Sequence, residues 1–260
     1  MIPRVIPTLL LRGAGLVKTQ QFTRPVYLGD PINVIRIFND KEVDELVLLD
    51  ITATIEARPP NFKLLAEVAS ECFMPFGYGG GVSTIEQIGE LLALGIEKVV
   101  LNSVTAAQPE LVRKATERFG SSTIVASIDV RRSLFRGPRV VTRSGTANTG
   151  RDAVAYAREM EKLGVGEILL TSVDREGTMT GYDLDLIRSA TEAVDVPVVA
   201  SGGAGSNADL RRAVVNGGAS AAAAGSIFVF QGPHRGVLIS FPRRGELEEL
   251  FEDQPSDRPE

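Results

Sequence analysis

Pro75-Phe76-Gly77-Tyr78-Gly79-Gly80-Gly81-Val82 is an apolar run that stops on three glycines, with a helix-like segment behind it. The pattern returns 122 residues further on as Pro197-Val198-Val199-Ala200-Ser201-Gly202-Gly203-Ala204. Glycines at the end of a strand mark backbone that something approaches closely. They also leave N–H groups uncovered at a helix start, which suits an anion such as phosphate. A tight turn would require glycine too. Two copies in matched surroundings favour the phosphate reading.

The repeat extends outward from these runs at the same spacing. Glu45 maps to Glu167, Pro75 to Pro197, Gly80 to Gly202, Gly81 to Gly203 and Gly95 to Gly217. The first half opens with a strand, Arg4 to Leu11, and a polar, glycine-bearing loop from Arg12 to Asp30. A structureless loop of about nineteen residues in a compact domain reads as a lid or binding loop. Pro31 opens a helix, a buried strand covers Asp44 to Thr52, and a second helix runs from about Asn61 to Cys72. The quoted stretch is the third strand. Ser83 or Thr84 caps a third helix that stops at Gly95; Lys98 to Ser103 is the fourth strand and Pro109 to Phe119 the fourth helix.

The second half follows the same order. Thr123 to Val130 is strand five, with a hairpin-bearing excursion over Arg131 to Asn148 and a helix from Arg151 to Leu163. Glu167 to Asp174 is strand six, strand seven ends at Ser201-Gly202-Gly203, a helix spans Asn207 to Asn216, and Ser220 to Ala224 is strand eight. Eight strands alternating with eight helices in about 250 residues predict a (β/α)8 TIM barrel built from two repeated (β/α)4 halves. A doubly wound sheet would not need two copies of one half. No linker divides the chain, so residues 1–251 are expected to form a single barrel, with a frayed, charged tail over 252–260.

Bulk composition narrows the function classes. The 260 residues carry 28 basic and 33 acidic side chains, a net charge of −5, which argues against a general nucleic-acid binder or an anionic membrane surface. The single cysteine, Cys72, cannot form an internal disulfide; it reads as a buried small hydrophobe and points to a reducing, cytoplasmic compartment. The start shows no signal-peptide pattern, and no apolar run reaches the ~18 residues of a membrane span. With one histidine, His234, an ordinary zinc site or a Ser-His-Asp triad is not expected, and neither a metal nor a cofactor is predicted.

In such a barrel the active face lies at the carboxyl ends of the strands. The polar groups there are Asp50 after strand two, Gly80-Gly81 after three, Asn102-Ser103 after four and Asp129 after five. Strand six offers Thr171, Ser172 and Asp174, strand seven Gly202-Gly203, and strand eight Gly225-Ser226. The groups after strands seven and eight match the usual barrel phosphate site, and the repeat implies a mirror site at Gly80, Gly81, Asn102 and Ser103. Two such sites across one mouth suit a substrate phosphorylated at both ends. Asp129, alone between them, is the candidate for proton transfer; the alternative is a strand-end carboxylate bonded to a neighbouring loop. At the opposite end, Arg4, Glu45, Lys98 and Glu167 start strands one, two, four and six. They read either as a ring closing the barrel floor or as ordinary surface ion pairs, each worth under ~1 kcal/mol.

These residues resemble a known family. Arg4-Val5-Ile6-Pro7, Leu49-Asp50-Ile51-Thr52, Gly79-Gly80-Gly81, Ile128-Asp129, Gly166 to Ser172, Asp174-Arg175-Glu176-Gly177-Thr178 and Ala200 to Gly205 are similar to the HisF cyclase subunit of imidazole glycerol phosphate synthase. The match runs from about residue 4 to 230, and its motifs are specific taken jointly. The resemblance implies a glutaminase docked at the floor, with ammonia passing a gate of Arg4, Glu45, Lys98 and Glu167 to a bisphosphate ribonucleotide at the mouth. It adds Asp174, Gly177 and Thr178 to the phosphate-binding set. It places Lys18 in a flexible first loop, and Asp50, Thr171 and Ser172 in the substrate site.

The departure is at strand one. The family reads Cys-Leu-Asp-Val after Ile-Ile-Pro, and that aspartate is one of two catalytic carboxylates; here Leu10 stands in its place. Leucine cannot exchange a proton, and one general acid–base group contributes typically ~10²–10⁴-fold. Glu176 also replaces the family's usual aspartate. A second branch, the HisF-like proteins of surface-polysaccharide gene sets, is similar in Ile6 to Leu11, Gly15-Leu16-Val17-Lys18-Thr19, Phe22, Gly29 to Asn33 and Gly232 to Ile239. It implies ammonia supply for converting an N-acetyl sugar to an acetamidino sugar, with a glutaminase and a separate sugar amidotransferase as partners. The alternatives are the authentic cyclase of histidine biosynthesis and an inactive barrel that only docks and activates a glutaminase.

Overall fold

The computed structural model describes residues 2–133, 137–232 and 234–252; the expected frayed tail lies outside these apart from Glu252. β1 (Arg4–Arg12) continues into a hairpin of β2 (Gly15–Gln20) and β3 (Thr23–Gly29), followed by α1 (Pro31–Asp40). Next come β4 (Leu46–Asp50), α2 (Phe62–Glu71), β5 (Phe76–Gly79), α3 (Ile85–Ala93), β6 (Lys98–Leu101), the short α4 (Ser103–Ala107) and α5 (Pro109–Phe119). The second half gives β7 (Ile124–Ser133), a hairpin of β8 (Gly137–Thr142) and β9 (Ala147–Asp152), α6 (Ala153–Lys162), β10 (Glu167–Ser172) and α7 (Leu184–Thr191). It ends with β11 (Val198–Ser201), α8 (Asn207–Val215), β12 (Ala221–Ala224), α9 (Ser226–Val229), a small ribbon of β13 (Phe230–Gln231) and β14 (Gly236–Val237), and α10 (Arg244–Phe251).

Eight strands pair in parallel in the order β10-β11-β12-β1-β4-β5-β6-β7, and β7 returns to β10, so the sheet closes. The chain is a (β/α)8 barrel. Closure follows from sequence: each barrel strand is a short buried run, and the helices between bury one face, as α1 does with Val34, Ile35 and Phe38. Caps fix where helices start. Asp30 accepts from the Asn33 N–H, Asn61 from Leu64, and Thr84 with Gln87 forms a capping box.

The reading of Arg12 to Asp30 as a structureless loop is corrected. The segment is a hairpin, with Leu10↔Val17 and Leu11↔Leu16 pairing β2 to β1 and Lys18↔Val26 pairing it to β3. Leu16 and Val17 are buried, and Gln21 and Phe22 turn the chain at positive φ. The excursion after strand five is the matching hairpin, β8 and β9. Cys72 is half-buried rather than buried, with its sulfur 3.0 Å from Met74 Sδ; burial raises its thiol to about 11, which keeps it unreactive.

Two cores result. One lies between barrel and helices. The other fills the lumen with Ile6, Val47, Val100, Val125, Leu169, Val199, Ala221 and Ala223. Among the described residues, no helix is long and apolar enough to cross a membrane.

Candidate active site and floor gate

The carboxyl ends of the strands surround a cavity of about 120 Å³. Of the residues expected at a site, Lys18, Asp50, Gly80, Asn102, Ser103, Asp129, Thr171 and Gly225 line it, and so does Leu10. Gly81 instead lines an adjoining open groove of about 760 Å³ between the ends of β5 and β6, shared with Gly80, Asn102 and Ser103. Asp174, Ser172, Gly177, Thr178, Gly202, Gly203 and Ser226 line neither.

Register fixes what faces what. Leu10 pairs with Leu49, and Asp129 pairs with Thr171; Leu49 and Thr171 are themselves 122 residues apart. Leu10 and Asp129 therefore occupy equivalent places in the two halves. Likewise Thr8 pairs with Val47 and Ser127 with Leu169, so Thr8 and Ser127 correspond. One half contributes a carboxylate at the mouth and the other contributes a leucine.

Asp129 is buried; Asn102 Nδ2 donates to its Oδ2 at 3.0 Å, and the Thr171 hydroxyl is a second donor. Burial raises its carboxyl to about 7, and the two donors only partly oppose that. Asp50 is differently employed. Its Oδ1 accepts from the Thr52 and Ala53 N–H groups at 3.0 Å each, and Arg58 Nη2 donates to Oδ2 at 3.2 Å. It organises the loop after β4.

The glycine pairs have an internal reason to be glycine. Gly80 has φ of 123°, and a Cβ there would lie 2.4 Å from the Asp50 carbonyl oxygen. Gly202 has φ of 89°, and its Cβ would lie 2.6 Å from the Ser172 carbonyl oxygen. Asp50 and Ser172 are again 122 apart, so each first glycine rides on the end of the neighbouring strand in the same way.

Lys18 comes from β2, and its ammonium reaches Glu176 in the loop after β10. Both are buried, and burial together with Arg235 pulls the Lys18 ammonium down to about 7. Asp174 Oδ2 accepts from the Arg132 N–H at 2.7 Å, and the Thr178 hydroxyl donates to the Arg175 carbonyl at 2.7 Å. The two hairpins meet over the mouth: Phe22 lies against Gly145, and both Phe22 and Ser144 line the cavity. Sequence reading missed Phe22, Ser144, Thr8, Thr19, Ser127 and Ser201 as lining residues. The one signal available for three of them was position: Thr8, Ser127 and Ser201 each lie two residues beyond a lumen residue, Ile6, Val125 and Val199, and so on the same face of the strand.

At the floor, Arg4 contacts Glu45 and donates to Glu167 Oε1 at 2.5 Å. Lys98 Nζ donates to Glu45 at 2.9 and 3.0 Å and to Glu167 Oε2 at 2.5 Å. The four charges close a ring, with both carboxylates buried. Just inside it is a cavity of about 10 Å³ lined by Glu45, Lys98 and Glu167 of the ring and by Ile6, Val47, Val100, Val125, Leu169 and Val199. That is about room for one water-sized molecule. Along the barrel axis there are thus a charged ring, a lumen packed with apolar side chains and a polar mouth. Among the described residues, no three His, Cys, Asp or Glu side chains gather to hold a metal.

Comparison with known proteins agrees with this plan. The family model described as histidine biosynthesis protein matches residues 4–234. The chain belongs to that family. Within it, a Pseudomonas aeruginosa protein provisionally named imidazole glycerol phosphate synthase subunit hisF2 is 49% identical over 245 residues, 94% of this chain and 98% of the relative. A Leptospira interrogans protein, provisionally named subunit HisF of the same synthase, is 41% identical over 96% of this chain and 98% of its own length. A Myxococcus xanthus protein named imidazole glycerol phosphate synthase subunit HisF is 46% identical over 219 residues, 84% of this chain and 86% of its own. This is a HisF-family barrel.

Proposed function

We propose that this chain is an ammonia-conducting synthase subunit of HisF type. It takes ammonia from a glutaminase docked at the barrel floor and releases it at the mouth for amidation of an N-acetyl sugar by a separate amidotransferase. The observation that carries the reading is Leu10: it holds the place equivalent to Asp129 while the floor ring of Arg4, Glu45, Lys98 and Glu167 is complete. Conduction needs the ring and an apolar tube. Cyclisation with a pair of carboxylates needs an acid where the leucine stands.

The relatives' names support a synthase subunit as the coarse reading. For the floor partner, the support is Phe73. It is 83% exposed on the loop before β5 and held by a bond from its N–H to Asn39 Oδ1 at 3.1 Å. The Leu46 N–H, next to Glu45 of the ring, donates to the Pro75 carbonyl at 2.9 Å, so this loop borders the gate. A fixed, exposed aromatic beside an entrance fits a protein partner's pocket.

The test gives purified protein an ammonium salt and the bisphosphate ribonucleotide substrate of the cyclase. No imidazole product is expected, whereas turnover near that of an authentic cyclase would overturn the reading. The second reading, authentic cyclase, is favoured by one feature: the Asp129 carboxyl, raised to about 7, could serve as both acid and base. Leu10→Asp separates the two. A large gain in cyclisation supports ammonia delivery as the present role, and no change supports a cyclase working through Asp129 alone.

A further inference from the structure

Asp129 is a buried carboxyl with hydrogen-bond donors but no cationic neighbour acting on it among the described residues. In the same cavity, Thr8 is 8% exposed, and its hydroxyl has no hydrogen-bond partner among the described residues. Ser127 and Ser201, both buried, bring two more hydroxyls to the lining. These groups form a polar collar where the apolar tube opens, and Leu10 closes the side where the equivalent half would place a second acid. Of the three carboxylates lining this cavity, Asp50 is paired with Arg58 and Glu176 with Lys18, which leaves Asp129 with several hydroxyl oxygens, a donor set for a small monovalent cation, since a divalent ion would call for more negative charge.

We propose that the collar is an ammonium seat: ammonia leaving the tube takes the Asp129 proton and is held as ammonium between the carboxylate and the Thr8, Ser127 and Ser201 oxygens. The inference rests on the ammonia-conducting reading. The step balances without a further reactant. The nitrogen lone pair forms the new N–H bond, the carboxyl O–H bond breaks, and its electron pair stays on the carboxylate. When an acceptor consumes the ammonia, the proton returns to Asp129. Ammonia is a stronger base than a carboxylate, so transfer in this direction is downhill in water, and burial keeps a share of Asp129 protonated near neutral pH. Once charged, the molecule is excluded from the tube of Val47, Val100, Val125 and Leu169 behind it, because an unpaired charge is costly in an apolar lining. The seat holds the nitrogen at the mouth until an acceptor consumes it.

The probe is ammonium chloride, titrated calorimetrically against tetramethylammonium chloride at equal ionic strength. Crystals soaked in thallium(I), a heavy mimic of ammonium, locate the site. Wild type is expected to show one saturable ammonium site beside Asp129, weakened about tenfold or more in Asp129→Asn and less in Thr8→Val. Affinity should rise as pH is raised through about 7, where Asp129 ionises. Lys18 and Glu176 line the same cavity, and Lys18 also titrates near 7, so Lys18→Met combined with Glu176→Gln is the control: the pH dependence should persist in it and vanish in Asp129→Asn. No saturable site, equal binding of tetramethylammonium, or unchanged affinity in Asp129→Asn would overturn the proposal. The two readings fail separately. Imidazole formation overturns ammonia delivery to a sugar and leaves the seat standing; absent ammonium binding removes the seat and leaves the delivery reading.

Discussion

At the scale of single residues, the molecule carries two buried groups whose ordinary charge is disfavoured, Asp129 and Lys18. Each makes stability depend on pH, with opposite sign. The Asp129 carboxyl is raised from 3.8 to about 7 in the folded chain, so the unfolded chain gives up its proton first. Folding stability contributed by the protonated form is therefore lost as pH rises from about 4 through about 7. Asp129→Asn removes that dependence. It should raise the melting temperature by several degrees near pH 8 and by almost nothing near pH 4, a contrast readable in a thermal-shift series. For Lys18, lowered from 10.5 to about 7, stability should recover as pH rises over that span. Lys18→Met should therefore gain most below about pH 7, provided Glu176 is changed with it to Gln so that no lone carboxylate is left buried.

At the scale of elements, the two hairpins are the parts most open to perturbation. β2–β3 and β8–β9 leave the barrel from equivalent strands and touch through Phe22 and Gly145. Phe22→Ala should loosen the arch without unfolding the barrel; faster amide exchange over residues 16–28 with a nearly unchanged melting temperature is the expected result. On the floor side, Phe73→Ser should weaken association with the proposed glutaminase partner by about tenfold or more, measured by titration of the two subunits, with the fold intact by circular dichroism. These elements also show what a sequence discloses. Barrel strands and their helices were legible because buried runs such as Leu46–Asp50 alternate with amphipathic ones such as Pro31–Asp40. The β2–β3 hairpin was not, because residues Thr23 to Tyr27 are all exposed and show no alternation, and Pro25 reads as a breaker. The equivalence of Leu10 and Asp129 was hidden as well. They lie 119 residues apart while the glycine runs repeat at 122, so only pairing registers align them. Lys18 and Glu176 meet from distant parts of the chain, a contact no local pattern predicts.

At the scale of the whole molecule, polarity is layered along the barrel axis: charged ring, apolar lumen, polar mouth. The ring draws one residue each from β1, β6 and β10 and one, Glu45, from just before β4, so it ties both halves of the repeat together. Lys98→Met leaves two buried carboxylates sharing Arg4 alone. Because Lys98 is partly exposed, the cost should fall at or below the ~3 kcal/mol typical of a broken buried pair. A denaturant titration reads that loss, and ammonia escaping to solvent during glutamine turnover tests the proposed gate. On the proposed ammonia route the ring must part, and parting it removes ties that hold the folded barrel. A docking partner that opens the ring therefore spends some of its own affinity on doing so. Linkage then runs both ways. A barrel whose ring has already been weakened should bind that partner more tightly than the intact one, so Lys98→Met should be less stable alone and more adhesive in complex.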